Sequence, residues 1–227
     1  MKRILLLGAL DKTDLIFYMA KLMSKHKKVL VADVTEHHRY EYAYPKVQAE
    51  DAPIQQHDEF DVAENIQNYL HLEKVMQSTE YDIILIDADH LEALQYWPVC
   101  DEYILVTSYE NPVIQRNAKV LESYFREKPM AELLSFHKII YEAGSTLTEK
   151  TINESLDRLP IVWDETFVYY PDERDMQQKI RNQYSNIVSI KGLSRPYRQV
   201  LSEIVGRITD TRPAVMKTIW KQTERSR

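Results

Sequence analysis

The chain alternates short, unbroken apolar runs with stretches of helical period, and this alternation limits its fold more than any other feature. Lys2 to Leu7 (KRILLL), Lys28 to Val34 (KVLVADV), Tyr81 to Ala88 (YDIILIDA) and Glu102 to Thr107 (EYILVT) are apolar on successive residues instead of every second one. A strand apolar on both sides must be covered on both sides, which is the condition of a parallel sheet held between helical layers. Between the first two runs, Lys12 to Lys27 places Leu15, Ile16, Met19, Leu22 and Met23 three and four residues apart, the spacing of a helix with one buried face. Strand, helix and strand with short joints imply a parallel pair joined by a right-handed crossover.

The same logic continues downstream. Val62 to Ser78 reads as a helix, Pro112 to Arg126 as another, Lys138 to Tyr141 as a short strand, Thr148 to Leu159 as a helix, Pro160 to Trp163 as a strand and Ser194 to Thr209 as a long helix. The expected fold is therefore one three-layer α/β domain over residues 1–210, with a mostly parallel central sheet flanked by helices. Residues 211–227 are expected to form a basic amphipathic C-terminal helix or tail. Between His37 and Glu59 the chain is polar, rich in Tyr and His, and broken by Pro45 and Pro53, so it reads as an irregular excursion with one edge strand. Tyr40, Tyr42 and Tyr44 alternate there and would share one face of a strand. His37, His38 and His57 lie near Asp58 and Glu59 without metal-ligand spacing, and read as solvated loop residues.

With 227 residues the chain can bury a continuous core without staples, and its single cysteine, Cys100, cannot form an intrachain disulfide. The N-terminus has no cleavable small-residue signal site, and no apolar run approaches the roughly 20 residues that span a bilayer. A cytoplasmic location follows as the expectation.

Ligands of open α/β sheets sit beyond the carboxyl ends of the strands. The first loop in that place is Leu7-Gly8-Ala9-Leu10-Asp11-Lys12-Thr13, between the first strand and the first helix. A phosphate loop stands in such a position, with backbone N–H groups and a Lys around the phosphates and a Ser/Thr hydroxyl on magnesium. Such loops use glycine, and this chain has only four glycines where average usage would supply about 16.

Lys12-Thr13, the strand VLVAD ending in Asp33, the strand YDIILID ending in Asp87, and the segment CDEYILVTSYENPVIQRNAKVLESY together resemble the MinD/ParA family of P-loop ATPases. The likeness is one of order and spacing over nearly the whole chain. It implies a P-loop NTPase-like fold, and a nucleotide site at Gly8, Asp11, Lys12, Thr13, Asp33 and Asp87. Lys12 takes the place of the phosphate-binding lysine, and Thr13 and Asp87 those of the magnesium-linked residues. The departures are as informative. Leu7 stands where the family has its signature lysine, Ala9 and Asp11 replace loop glycines, and Thr35 replaces the second Asp of the family's Asp-x-Asp. The fifth strand, KIIYEA, lacks the Asn that closes over adenine in many relatives. A carboxylate at position 11 would repel the polyphosphate that the loop should hold, and loss of the second Asp removes the group expected to orient the attacking water.

The resemblance thus implies a degenerate ATPase, with ATP and magnesium bound weakly or not at all and no efficient catalysis. Such a protein would serve as a positioning, assembly or scaffold factor for secretion or pilus machinery, division or partition, as a homodimer with protein partners. The alternatives are a working ATP-dependent dimerisation switch and a DNA-partition protein.

Net charge is −6, yet Arg195 to Arg227 carries eight Lys/Arg against three Asp/Glu, a local +5. Nucleic acid is therefore the less favoured partner of the chain as a whole, and attraction for anions is concentrated at its end. On a helix from Pro213, Val215, Met216, Ile219 and Trp220 fall on one arc, with Lys217 and Lys221 opposite. That pattern suits peripheral membrane contact or a partner surface, and equally suits packing on the protein's own body.

Overall fold

The apolar runs pair into one eight-stranded sheet in the computed structural model, which describes residues 1–46, 52–77, 79–90, 97–127, 133–142, 144 and 146–225. The strands are β1 (Lys2–Leu7), β2 (Val29–Val34), β3 (Ile54–His57), β4 (Phe60–Ala63), β5 (Ile83–Ala88), β6 (Glu102–Ser108), β7 (Leu134–Tyr141) and β8 (Ile161–Tyr169). Their order is β3-β4-β2-β5-β1-β6-β7-β8, and only the β3–β4 pair is antiparallel. The helices are α1 (Thr13–Met23), α2 (Tyr69–Met76), α3 (Asn111–Glu127), α4 (Glu149–Ser155), α5 (Glu173–Gln183), α6 (Arg195–Ile208) and α7 (Pro213–Arg225).

β1 lies at the centre because both of its faces are apolar. Ile4 and Leu6 enter the layer shared with α1, α6 and α7, while Leu5 and Leu7 enter the layer shared with α2, α3 and α4. β5 pairs with β1 on one side and β6 pairs with it on the other, so the chain crosses from one half of the sheet to the other beside the β1 loop. The β2–β5 register sets Asp33 opposite Asp87 at the carboxyl edge, next to that loop.

Several expectations need correction. Phe60 to Ala63 is a strand, and the helix expected from Val62 begins only at Tyr69, where Asn68 accepts the His71 N–H as a cap. The expected end of that helix, Ser78, lies outside the described residues, as do residues 47–51 of the excursion and Ala143 of the KIIYEA strand. The edge strand expected in the excursion is β3. The three alternating tyrosines do not form a strand. Arg39–Tyr42 is a short 3-10 helix, with Tyr40 and Tyr44 packed edge-on against Phe17 and Tyr42 left exposed.

His57 is not a solvated loop residue. It is buried in a cage of Phe17, Tyr44 and Phe60, with no hydrogen-bond partner for either ring nitrogen among the described residues. Burial, with the charges of Lys46 and Lys21, lowers its pKa to about 4. The last strand runs on through Asp164 and Glu165 to Tyr169, well beyond Trp163.

At the C-terminus the stripe of α7 turns inward. Met216, Ile219 and Trp220 are at most 6% exposed and join the same apolar layer as α1 and α6. Trp220 donates its indole N–H to Ser202 Oγ on α6 at 2.6 Å. These three side chains are therefore core, and the reading that sets them against a membrane or partner is corrected: of the residues named for it, only Val215, Lys217 and Lys221 face solvent.

Candidate functional site

The carboxyl ends of β1, β2 and β5 bring Gly8, Lys12, Thr13, Asp33 and Asp87 together, as the spacing of the sequence requires. Gly8 sits at φ +151°, and a Cβ there would lie 2.1 Å from the Val106 carbonyl oxygen, so only glycine allows β1 to end against β6. Leu7, at the place of the signature lysine, is buried and cannot project towards a second subunit.

Lys12 is fully buried and its ammonium points into the sheet edge. It donates to the carbonyls of Gly8 at 2.8 Å and Ala88 at 3.2 Å, and pairs with Asp87 Oδ1 at 2.6 Å. Two of the three ammonium donors meet carbonyl acceptors, and the contact with Asp87 is an ion pair in which Oδ1 accepts no hydrogen bond. Burial pushes the Asp87 carboxyl above the usual carboxylate range, while Lys12 and the Tyr40 hydroxyl, which donates to Asp87 Oδ2 at 2.9 Å, pull it back. Next to it, Asp33 Oδ1 accepts from the Thr35 N–H at 3.0 Å and the Thr35 hydroxyl at 2.6 Å. Burial raises the Asp33 carboxyl as well, and its Oδ2 has no hydrogen-bond partner among the described residues.

Asp11 turns away from this cluster. Its carboxylate accepts the Thr13 N–H at 3.1 Å, a local turn bond one residue before the Lys12 N-cap of α1, and pairs with Lys179 of α5 at 2.7 Å. Burial opposes ionisation, yet Lys179 and Thr13 hold its pKa at about 2. Lys179 also faces Asp14 Oδ1 at 3.4 Å. The opposite flank of the loop is held by α3, where Asn117 Oδ1 accepts the Ala9 N–H at 2.8 Å and Asn117 Nδ2 donates to Val106 O at 3.3 Å. Arg39 closes the outer side, donating to Leu10 O at 2.9 Å and pairing with Asp89 at 2.8 Å. Burial disfavours the charge on Asp89, but His90, the Glu36 N–H and Arg39 keep its pKa at about 2.

Tyr40, Arg39, Asn117, Lys179 and Asp89 are the working parts that the sequence reading missed. Arg39 and Tyr40 lie in a segment without apolar period, and Asn117 and Lys179 reach the loop from more than 100 residues away. No local signal marks them.

No protein-family model matches the chain, and no curated protein matches it in sequence. Solved structures do match. A ParA family ATPase from Chlorobium tepidum superposes with a TM-score of 0.61, over 88% of this chain and 96% of that one, at 18% identity. A chain of the MinC:MinD cell division protein complex from Aquifex aeolicus gives a TM-score of 0.63 over 92% and 96% at 13% identity. The fold is that of the ParA and MinD ATPases. The cell division ATPase MinD from Pyrococcus furiosus has the same ParA/MinD fold, with a TM-score of 0.51 over 92% and 99% at 20% identity.

An ATPase fold raises the question of ATP with magnesium, and this arrangement of residues does not fit it. Lys12 is engaged by two carbonyls and by the Asp87 carboxylate, Arg39 caps the carbonyl side of the loop, the Ala9 and Thr13 N–H groups are taken, and a carboxylate occupies position 11. Three buried oxygens of the site, Thr13 Oγ1, Asp33 Oδ2 and Asp87 Oδ1, still suit such a ligand, having no hydrogen-bond partner among the described residues. No cluster of three or more His, Cys, Asp or Glu suited to a metal occurs among the described residues. None of their helices is long and apolar enough to cross a membrane.

Proposed function

We propose that this ParA/MinD-fold chain no longer works as a nucleotide switch and acts through protein contacts, as a positioning or assembly factor within a larger machine. The observation that carries the reading is the engagement of Lys12 with Gly8 O, Ala88 O and Asp87. A phosphate would have to compete with the Asp87 carboxylate for a fully buried cation. The binding of Thr35 to Asp33 and the burial of Leu7 support the same reading. Proteins of this class place secretion or pilus machines, division proteins or plasmids, and the chain would serve such a machine as a scaffold. The test is calorimetry with ATP and magnesium, beside a phosphate-release assay on the parent and on Lys12→Ala. Absence of binding and of Lys12-dependent release is expected. Sustained release that depends on Lys12 would overturn the proposal.

A second reading rests on Thr13 Oγ1, whose missing partner suits a metal-bound nucleotide. In that reading ATP draws Lys12 away from Asp87 and the chain dimerises as a switch. Nucleotide binding that requires Thr13, together with an ATP-dependent rise in mass by sedimentation, would favour it.

A further inference from the structure

A long cleft lies between α6 and α7, apart from the site above. Two cavities of about 650 and 490 Å³ share Gln199, Ser202, Lys217 and Trp220 and so form one continuous groove. Its floor is apolar, made by the Trp220 ring, Met216 and the bare backbone of Gly206. Its rim is cationic. Arg198 stacks on Trp220 at 4.8 Å and pairs with Glu224, and Arg207 pairs with Asp164. Arg195, Arg212, Lys217 and Lys221 line the groove with no ion-pair partner among the described residues. No carboxylate of the described residues pairs with these four cations, so an anionic partner would meet complementary charge there.

We propose that this groove is the docking site for an acidic amphipathic helix of a partner protein. An apolar seam would lie over Trp220 and Met216 while its flanking carboxylates meet Arg195, Arg212, Lys217 and Lys221, the helix-in-groove mode with charge fixing the register. The thirteen residues of α7 set the length of the groove at about 20 Å, equal to a partner helix of three to four turns. Two other anionic occupants fit less well. A membrane needs several apolar side chains that stand above the surface, whereas Ile219 is buried, Met216 and Trp220 are recessed at the floor of the groove, and Val215 is the exposed large apolar side chain of α7. A duplex presents phosphates and no apolar seam for the Met216 and Trp220 floor. The inference deepens the protein-contact reading above, and it fails separately from it, since no residue of the β1 loop borders the groove.

The experiment titrates the full chain with a synthetic helical peptide of about 14 residues, a Leu/Phe seam flanked by Glu and Asp. The Trp220 indole N–H resonance, assigned with Trp220→Phe, is the readout. A scrambled peptide of equal composition, a short duplex DNA and vesicles containing phosphatidylglycerol serve as competing probes. The patterned peptide is expected to shift the Trp220 and Gly206 resonances, and to bind about tenfold more weakly in Lys217→Glu/Lys221→Glu and as salt rises towards 0.5 M. Equal binding of the scrambled peptide, no shift at Trp220, or tighter binding of duplex or vesicles would each overturn the proposal. The two lysines are exposed, so their reversal leaves the core untouched.

Discussion

Replacing Lys12 separates a structural lysine from a phosphate-binding one. In a working nucleotide loop that side chain faces an open site, and truncating it in the nucleotide-free protein alters little, as surface changes typically stay within about 0.5 kcal/mol. Here Lys12 and Asp87 are both fully buried and 2.6 Å apart. Lys12→Ala would leave Asp87 with the Tyr40 hydroxyl and only the more distant charge of Arg39, and breaking a buried pair in this way costs about 3–5 kcal/mol. That is a large part of the roughly 5–15 kcal/mol stability of an ordinary domain. The cost should have a pH signature. Burial already raises the Asp87 carboxyl, and without Lys12 it rises further, so the folded state takes up a proton where the unfolded carboxyl, near 3.8, stays ionised. The folded state then binds more protons than the unfolded one, so the deficit shrinks as pH falls. The double variant Lys12→Met/Asp87→Asn removes both charges while keeping an acceptor for Tyr40, and should recover most of the loss. Urea unfolding of the parent, both single variants and the double variant, at pH 7.5 and 5.5, measures these differences. If Lys12→Ala unfolds within about 1 kcal/mol of the parent at pH 7.5, the buried-pair reasoning is refuted.

His57 should make the fold acid-sensitive. Its pKa falls from 6.5 to about 4 on folding, so its contribution is complete above pH 6.5 and is lost as pH falls through 4, about 3 kcal/mol at 1.36 kcal/mol per unit. Comparing urea midpoints of the parent and His57→Phe from pH 7.5 to 4.5 isolates this group from the raised carboxyls of Asp14, Asp33 and Asp87, and parallel curves would rule the effect out. Trp220→Ala should cost about 3–5 kcal/mol, as for a large core side chain, whereas a detached tail would lose nothing measurable in thermal or urea melts.

Much of the fold could be read because the central strands are apolar on both sides. Ile4 to Leu7 and Ile83 to Ile86 permit few other placements. β4 escaped detection because its four residues, Phe60 to Ala63, run straight into positions that continue a helical period. α5 escaped because its pattern is inverted. Its inner face is Asp175, Gln178 and Asn182, and its outer face carries Met176, Ile180 and Tyr184. Burial of those polar groups depends on partners elsewhere in the chain: Asp175 accepts from the Ser194 hydroxyl and the Tyr169 hydroxyl, and Asn182 donates to Tyr18. In the site, the positions of Lys12, Asp33 and Asp87 followed from where strands end. The direction of the Lys12 ammonium was not legible, because it depends on Ala88 O and the Asp87 carboxylate at the end of β5, which only the tertiary fold brings near.

The tethering of the β1 loop also changes how this edge of the molecule can move. Ala9 is tied to α3 through Asn117, Asp11 to α5 through Lys179, and Leu10 to the segment after β2 through Arg39. These anchors stand on separate elements on different sides of the loop. To open it, several elements must part together, so the segment that resembles a ligand gate behaves as a knot in the scaffold. Its amides at Ala9 and Thr13 should exchange with solvent only in the larger, rarer openings that also disturb the core.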